Sequence, residues 1–298
     1  MTILVTGATG FLGSRLVERL AMEGRNVIAI ARRAVPSALK SNPRVRWIVR
    51  DLILDGLETD GLQDIEAVIH LAGATLGAGK DENLFLCANE QTTVRLCQAM
   101  AGRTDRFIFA SSQVVYGDAC DLGVNEQFPL QPESSAYACS KINSENWLRR
   151  FQRHHGGHYL SLRFCGFIEG GGIIDYLIDQ ALEGAPIELY SKGRIRRDYL
   201  SVNDGIDVLI TALNHDGEPG FTPVNIGSGQ AVSALDLAQL VCAELHSSSK
   251  VLFSANESPM GDFVYCLERA RKLLDFQPSK LTDAVRRYAR KRQAEKRA

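Results

Sequence analysis

The sequence predicts an α/β fold: a doubly wound parallel sheet with a smaller C-terminal unit. Three observations predict it. Short, apolar, β-branched runs alternate with helix-spaced segments over the first half of the chain. Strand, helix, strand in succession needs a crossover connection, which makes neighbouring strands parallel. A glycine-rich turn, Gly7 to Gly13, lies between the first such run and the first such helix. After about residue 166 the alternation loosens. Residues 1–165 are accordingly assigned to the sheet domain, with a returning segment near 198–230, and residues 166–298 mainly to the smaller domain.

Each element has its own signal. Ile3–Val5 is a short apolar run, read as a buried strand. Ser14–Met22 carries Leu16, Val17 and Leu20 at helical spacing, with Gly24 as a stop. Val27–Ile30, Val45–Val49 and Ala67–Leu71 are the next three strands, and Asp51 stands just beyond the middle one. A helix covers about Asn89–Ala99. Phe107–Ala110 is the fifth strand and runs into Ser111 and Ser112. A helix over Tyr137–Phe151 and a strand over Tyr159–Phe164 follow. Beyond them come a Gly170-Gly171-Gly172 loop, a helix at Ile173–Leu182 and a strand at Ile187–Tyr190. A strand and turn at Val224–Gly227, a capped helix at Ser233–Glu244 and a helical end broken near Pro278 complete the chain.

Composition excludes several classes. The 298 residues are 45% hydrophobic and 23% charged, an ordinary globular balance. With 34 basic and 35 acidic side chains, no global field recruits nucleic acid or an anionic membrane. The basic cluster Arg286, Arg287, Arg290, Lys291, Arg292, Lys296 and Arg297 reads as a solvated, fraying helix end. The seven cysteines are odd in number and none has C-x-x-C spacing, which points to reduced thiols in a cytoplasmic compartment and to neither disulfides nor zinc. The N-terminus enters a strand directly, so no signal peptide is read. No apolar run approaches the ~20 residues that span a bilayer. His154, His155 and His158 flank Gly156-Gly157 at a helix end, where a favourable dipole accounts for them without a metal.

The turn Gly7-Ala8-Thr9-Gly10-Phe11-Leu12-Gly13 follows a strand and opens a helix, the context that a dinucleotide site requires. Its glycines permit a tight turn, a close approach of pyrophosphate to backbone, and close helix–strand packing. The helix N-terminus adds free N–H groups and a favourable dipole. The fold class is therefore Rossmann-type. An acid at the end of the second strand normally binds the ribose 2′-hydroxyl of NAD. Here that strand ends in Ala31 followed by Arg32 and Arg33. Guanidinium groups suit a 2′-phosphate, so NADP is favoured, with NAD as the alternative.

Tyr137 and Lys141 are spaced i, i+4 and share one face of a helix. A phenol of pKa near ~10 is a weak acid–base catalyst at neutral pH, and a nearby ammonium is expected to lower it. Ser112, just after a strand, can hydrogen-bond the same substrate oxygen. Cys139 points to another face and is no nucleophile candidate.

Together these residues resemble the extended short-chain dehydrogenase/reductase family, in its sugar-nucleotide epimerase/dehydratase branch, over nearly the whole chain. Thr6 to Gly13 looks like T-G-x-x-G-[FY]-[LI]-G; Ser111 to Gly117 is similar to S-S-x-x-V-Y-G; Tyr137 to Lys141 resembles Y-[GA]-x-S-K, with Glu145 following as is usual. The resemblance implies a cofactor site at Gly7, Thr9, Gly10, Phe11, Leu12, Gly13, Arg32, Arg33, Asp51, Leu52, Leu71, Ala72 and Gly73, completed by Tyr137 and Lys141. Asp51-Leu52 matches the pair that contacts adenine, and His70 to Gly73 the H-[LV]-A-[AG] loop. Ser112, Tyr137 and Lys141 would be catalytic. Arg196 to Asp204 looks like R-D-[FY]-[IV]-x-V-x-D, which implies substrate-phosphate binding by Arg197, joined by Arg194; Asn225 to Gly229 is similar to N-[IV]-G-x-G. A homodimer is implied as well.

Departures bear on the reaction. Ala31 replaces the ribose-binding acid, and Gly166 stands where the family's substrate-touching asparagine is usual. The glycine-rich loop Gly77-Ala78-Gly79-Lys80-Asp81 is expected to cover the site. The implied function is an oxidoreductase or epimerase acting on a nucleotide sugar, leaning to a 4-keto sugar reductase. A 4-epimerase with retained NAD, a reductase of a non-nucleotide carbonyl compound and a non-catalytic dinucleotide sensor are the alternatives.

Overall fold

A computed structural model describes residues 2–33, 35, 42–57, 62, 64–75, 81–117, 121–257 and 261–297. The Gly77–Lys80 part of the glycine-rich loop lies outside them. The chain divides into two compact units. The first comprises Met1–Gly117, Pro129–Arg163 and Ile206–Val224; the second comprises Asp118–Phe128, Phe164–Gly205 and Asn225–Ala298.

The first unit is built on seven strands: β1 (Thr2–Thr6), β2 (Asn26–Ala31), β3 (Val45–Val49), β4 (Ile65–His70), β5 (Arg106–Ser112), β6 (His158–Phe164) and β7 (Gly220–Ile226). Their order across the parallel sheet is β7-β6-β5-β4-β1-β2-β3. β1 pairs parallel with β2 on one side and β4 on the other, with Thr6 opposite both Ile30 and His70. The chain order thus reverses around β1, and the carboxyl ends of β1 and β4 open a crevice. Ile3, Leu4, Val5, Val27, Ala29, Val68 and Ile69 are all buried, as a sheet covered on both faces requires. One core joins Leu4, Ile28 and Val68 to Leu96, Phe107, Phe109 and Leu148. Leu96 is fully buried, so its truncation to alanine should cost about 2–5 kcal/mol.

Helix α1 (Phe11–Met22) buries Leu16, Val17 and Leu20 and stops at Gly24, φ +81°. Helical structure then runs from Glu82 to Met100 rather than only over about Asn89–Ala99. The Asp81 carboxylate accepts from Asn83 N and starts a turn at Glu82–Phe85. A π-helical segment, Leu86–Gln91, follows and leads into α2 (Thr92–Met100). The wide turn breaks the 3.6-residue period, so the first part carried no clean helical pattern. Helix α3 (Ala136–His155) is capped by Ser135, which accepts from Ala138 N, and ends at Gly156, φ +75°.

The second unit packs helices Ile173–Glu183, Ala234–Leu245 and Leu281–Arg297 around Ile174, Leu177, Leu237, Val241, Leu281 and Val285. Ser233 and Asp236 form a capping box on the middle helix. Four short strands, Val232–Ser233, Arg196–Arg197, Phe263–Tyr265 and Asp121–Val124, make a sheet in that order. The basic C-terminal helix is more than a solvated end. Arg290 and Arg286 reach Glu244, and Arg292 reaches Asp175 and Asp179, so acidic residues of two neighbouring helices pair with part of it. Among the described residues no helix is long and apolar enough to cross a membrane.

Candidate active site

The glycine turn is shaped by close contact. Gly7 has φ +65°, and a Cβ there would stand 2.7 Å from Ala72 N; a Cβ on Gly13 would stand 2.1 Å from the Gly7 carbonyl oxygen. Neither position admits a side chain. Gly10 N donates to Gly7 O at 2.9 Å. Gly10 is also the N-cap of α1 and offers no side-chain acceptor, so the first-turn amides remain available to an anion.

Facing this turn is the loop Leu71-Ala72-Gly73 at the end of β4. Ala72 N donates to Thr6 Oγ1 at 3.2 Å, and the same hydroxyl meets His70 Nδ1 at 2.7 Å. His70 Nε2 meets Thr93 Oγ1 at 3.0 Å. Complete burial, with the Lys141 charge as a lesser cause, pushes the imidazole pKa down to about 3, so His70 is a neutral brace. Asn89, at 1% exposure, accepts from Ala74 N, donates to Ala74 O and donates to Ser140 Oγ. It ties the loop to α3.

A cavity of about 420 Å³ opens over these elements. Of the expected cofactor residues, Gly7, Thr9, Gly10, Arg32, Arg33, Asp51, Leu52, Leu71, Ala72 and Gly73 line it. Phe11, Leu12, Gly13, Tyr137 and Lys141 do not; Gly13 is packed against Gly7. The Asp51 carboxylate is engaged by Ile53 N at 2.8 Å and Leu54 N at 3.2 Å, which fixes the turn after β3. Arg50 also lines the cavity and was not singled out from sequence. The register explains it: Ala31 pairs with Val49, so the chain leaves β2 at Arg32 and β3 at Arg50 side by side. Arg32 and Arg33 are exposed and form no hydrogen bond or ion pair among the described residues.

Ser112, Tyr137 and Lys141 converge in the first unit. Ser112 ends β5, and its hydroxyl accepts from Val114 N at 3.4 Å. Tyr137 lies in the first turn of α3 with the Phe85 ring 5.4 Å away. The Lys141 ammonium donates to Ala110 O at 2.9 Å, sits 4.7 Å from the Phe109 ring centroid and 6.0 Å from that of Tyr137. One expectation fails here. Burial raises the Tyr137 phenol above its ordinary value, with the Ser112 hydroxyl pulling it back, and Lys141 does not bring it down. The ammonium is turned to the Ala110 carbonyl instead. Burial lowers Lys141 itself to about 8, and the Glu145 carboxylate opposes that fall.

A buried ion pair beneath this trio also escaped the sequence reading. Arg163 Nη2 meets Glu145 Oε2 at 2.6 Å, with the two side chains 2% and 1% exposed. An arginine inside the apolar run Tyr159–Phe164 was its signal. In the second unit, Arg194 is exposed, while Arg197 donates to Gly261 O at 3.0 Å and lies over the Phe263 ring. Asp198 is buried and accepts from Ser228 N, Ser228 Oγ, Gly229 N and Tyr265 N.

Known proteins resemble the chain in sequence and in fold. The profile of the NAD dependent epimerase/dehydratase family matches residues 3–227. A UDP-glucose 4-epimerase of Mycolicibacterium smegmatis is 25% identical over 300 residues, covering 93% of this chain and 94% of the relative. A dTDP-4-dehydro-6-deoxyglucose reductase of Escherichia coli is 23% identical over 300 residues, covering 94% of each. The crystal structure of UDP-glucuronic acid 4-epimerase from Bacillus cereus, in complex with UDP-glucuronic acid and NAD, superposes with a TM-score of 0.83 at 26% identity, over 98% of this chain and 99% of that one. The protein is an enzyme of the epimerase/dehydratase type, and the chain belongs to the NAD dependent epimerase/dehydratase family.

Proposed function

We propose that the protein is an NADP-preferring oxidoreductase that reduces a 4-keto nucleotide sugar. The observation that carries this reading is the guanidinium cluster at the β2–β3 edge: Arg32, Arg33 and Arg50 line the cavity, and Ala31 stands where an acid would select NAD. A 2′-phosphate there would gain charge-assisted hydrogen bonds. The turn at Gly7–Gly13, the open amides of α1 and the Leu71–Gly73 loop fit the rest of a dinucleotide. When bound, the cofactor supplies or accepts a hydride at its nicotinamide ring.

The chain's own groups manage the proton. Tyr137 is the acid that delivers a proton to the substrate oxygen, and Ser112 donates a hydrogen bond to the same atom. Lys141 orients the nicotinamide ribose. Burial raises the Tyr137 pKa and keeps the phenol protonated, the form that a reduction uses first. Arg197 and Arg194 are the substrate-phosphate ligands of this reading, residues 1–165 its cofactor-binding part and 166–298 mainly its substrate-binding part. A cytoplasmic homodimer completes it.

A second reading, a 4-epimerase with retained NAD, is favoured by the M. smegmatis relative and the NAD complex of the B. cereus enzyme. Incubation with NADPH and a panel of UDP-, dTDP-, GDP- and CDP-linked 4-keto sugars separates the two. NADPH consumption that depends on one nucleotide supports the reductase. Interconversion of UDP-glucose and UDP-galactose without added cofactor would replace it with the epimerase. NADPH consumption with a non-nucleotide ketone alone would remove the nucleotide from the account.

A further inference from the structure

Asp198 is a carboxylate sunk into the second unit, 2% exposed. Its Oδ1 accepts from Ser228 N and Ser228 Oγ, both at 2.7 Å, and its Oδ2 from Gly229 N at 3.1 Å and Tyr265 N at 3.2 Å. All of these donors are neutral. A buried carboxylate is costly unless such bonds replace its water, and its removal would leave the donors unmet. The segment Asn225 to Gly229 is shaped to receive it. A Cβ on Gly227 would stand 2.5 Å from Asp198 Oδ2, so any side chain there would displace the carboxylate. Gln230 N donates to Ser228 Oγ at 3.2 Å, which turns the hydroxyl proton to Asp198. Gly229, φ +66°, completes the turn.

Arg197 immediately precedes this carboxylate and pairs in parallel register with Phe263. Its guanidinium lies 5.2 Å from the Phe263 ring centroid, and Nη1 donates to Gly261 O at 3.0 Å. Gly261 and Phe263 therefore form the seat of the guanidinium. Tyr265, on the strand that begins at Phe263, is bonded to Asp198. One carboxylate thus joins the chain bearing Arg197 to the strand bearing its seat. A second link between the same strands, from Arg196 to Asp262, has side chains 46% and 29% exposed. Solvent and salt weaken that pair, so the buried carboxylate is the firmer link. An arginine fork recognises phosphate by direction as well as by charge. An unseated arginine samples many rotamers and loses that freedom on binding.

We propose that Asp198 is a positioning residue: its carboxylate, held by the Ser228–Gly229 turn and by Tyr265, locks Arg197 onto its seat at Gly261 and Phe263 and so presents the guanidinium to a nucleoside diphosphate in one orientation. The phosphate role of Arg197 rests on the function proposed above. The seating of Arg197 by Asp198 does not.

The test reads Arg197 directly. Its side-chain Nε–H signal, shifted by the Phe263 ring and assigned from Arg197→Lys, is recorded by ¹⁵N NMR for wild type, Asp198→Asn and Ser228→Ala. Asp198→Asn keeps the shape but sets an amide N–H against backbone donors, so the signal should move toward that of an unstructured arginine. Ser228→Ala removes one donor and should move it part of the way; it carries the test if Asp198→Asn does not fold. A folded variant whose Arg197 signal stays in place overturns the proposal, and a lower Tm with that signal unmoved is a structural role only. Calorimetry with UDP, dTDP, GDP and CDP on the same samples separates the two claims. The tightest of the four should weaken by roughly tenfold or more in Asp198→Asn and in Arg197→Met, with Asp198→Asn/Arg197→Met no weaker than Arg197→Met alone. Losses that add in full would overturn the action of Asp198 through Arg197. If the signal moves and no diphosphate responds to either variant, Asp198 seats Arg197 as proposed and the phosphate role of Arg197 is wrong.

Discussion

Acid should weaken the first unit through His70, by an amount that the structure sets. The imidazole is fully buried between two threonine hydroxyls, and burial lowers its pKa from the ordinary 6.5 to about 3. The unfolded chain binds this proton below about 6.5, while the folded chain refuses it until about 3. The unfolded state therefore holds more protons in that window, and stability falls as the pH falls through it. At ~1.36 kcal/mol per unit, the whole shift corresponds to at most about 5 kcal/mol, of which about 3 kcal/mol is lost by pH 4.5. Carboxylates contribute to acid unfolding too, so the assay is a comparison. Urea midpoints are followed from pH 7 to 4.5 for wild type and His70→Gln, which keeps a donor and an acceptor and does not titrate. The wild-type curve should fall more steeply, the two differing in slope by about 3 kcal/mol over the range. Parallel curves would refute a neutral, buried His70 bracing the Ala72 loop.

Other consequences follow from the same geometry. Tyr137→Phe removes the proposed acid while keeping the ring against Phe85, so turnover should fall by roughly 10²–10⁴-fold, far more than NADPH affinity measured by calorimetry. Gly13→Ala places a Cβ 2.1 Å from the Gly7 carbonyl oxygen, so the turn must shift; cofactor affinity should drop at least about tenfold, together with the Tm. Lys141→Met should abolish turnover yet stabilise the fold near neutral pH. Burial lowers the lysine from 10.5 to about 8, a cost of at most about 3 kcal/mol that is fully present below pH 8. Because the unfolded lysine keeps its proton up to about 10.5, the wild type gains stability between these values and the gap to Lys141→Met should close, as denaturation across that range would reveal.

The local features of the fold were legible because each carried its own pattern. β3 is Val45–Val49 as its apolar run marks it, and α1, α3 and β6 differ from the sequence reading only at their ends. The Gly7–Gly13 turn was legible because strand, glycines and helix are contiguous. What escaped depends on register or on distant partners. Arg50 joins Arg32 only because Ala31 pairs with Val49. Asn89 meets Ala74 and Ser140 because a π-helical turn intervenes, and no sequence period announces one. Glu145 and Arg163 lie on different elements, and either alone reads as an ordinary charged residue. In the second unit the strands of two to four residues are too short for alternation to show, so Asp121–Val124 and Phe263–Tyr265 were not distinguished from loops.

The central claim is that the β2–β3 edge selects NADP and that the enzyme exchanges it with each turnover. The direct measurement is calorimetric binding of NADP⁺ and NAD⁺ to the purified protein, for wild type and Arg32→Asp. Charge-assisted hydrogen bonds of about 1.5–3 kcal/mol predict NADP⁺ tighter by about tenfold to a hundredfold, with the preference lost or reversed in Arg32→Asp. Protein that purifies with tightly held NAD and shows no preference for NADP⁺ would contradict the account and leave the retained-cofactor epimerase in its place.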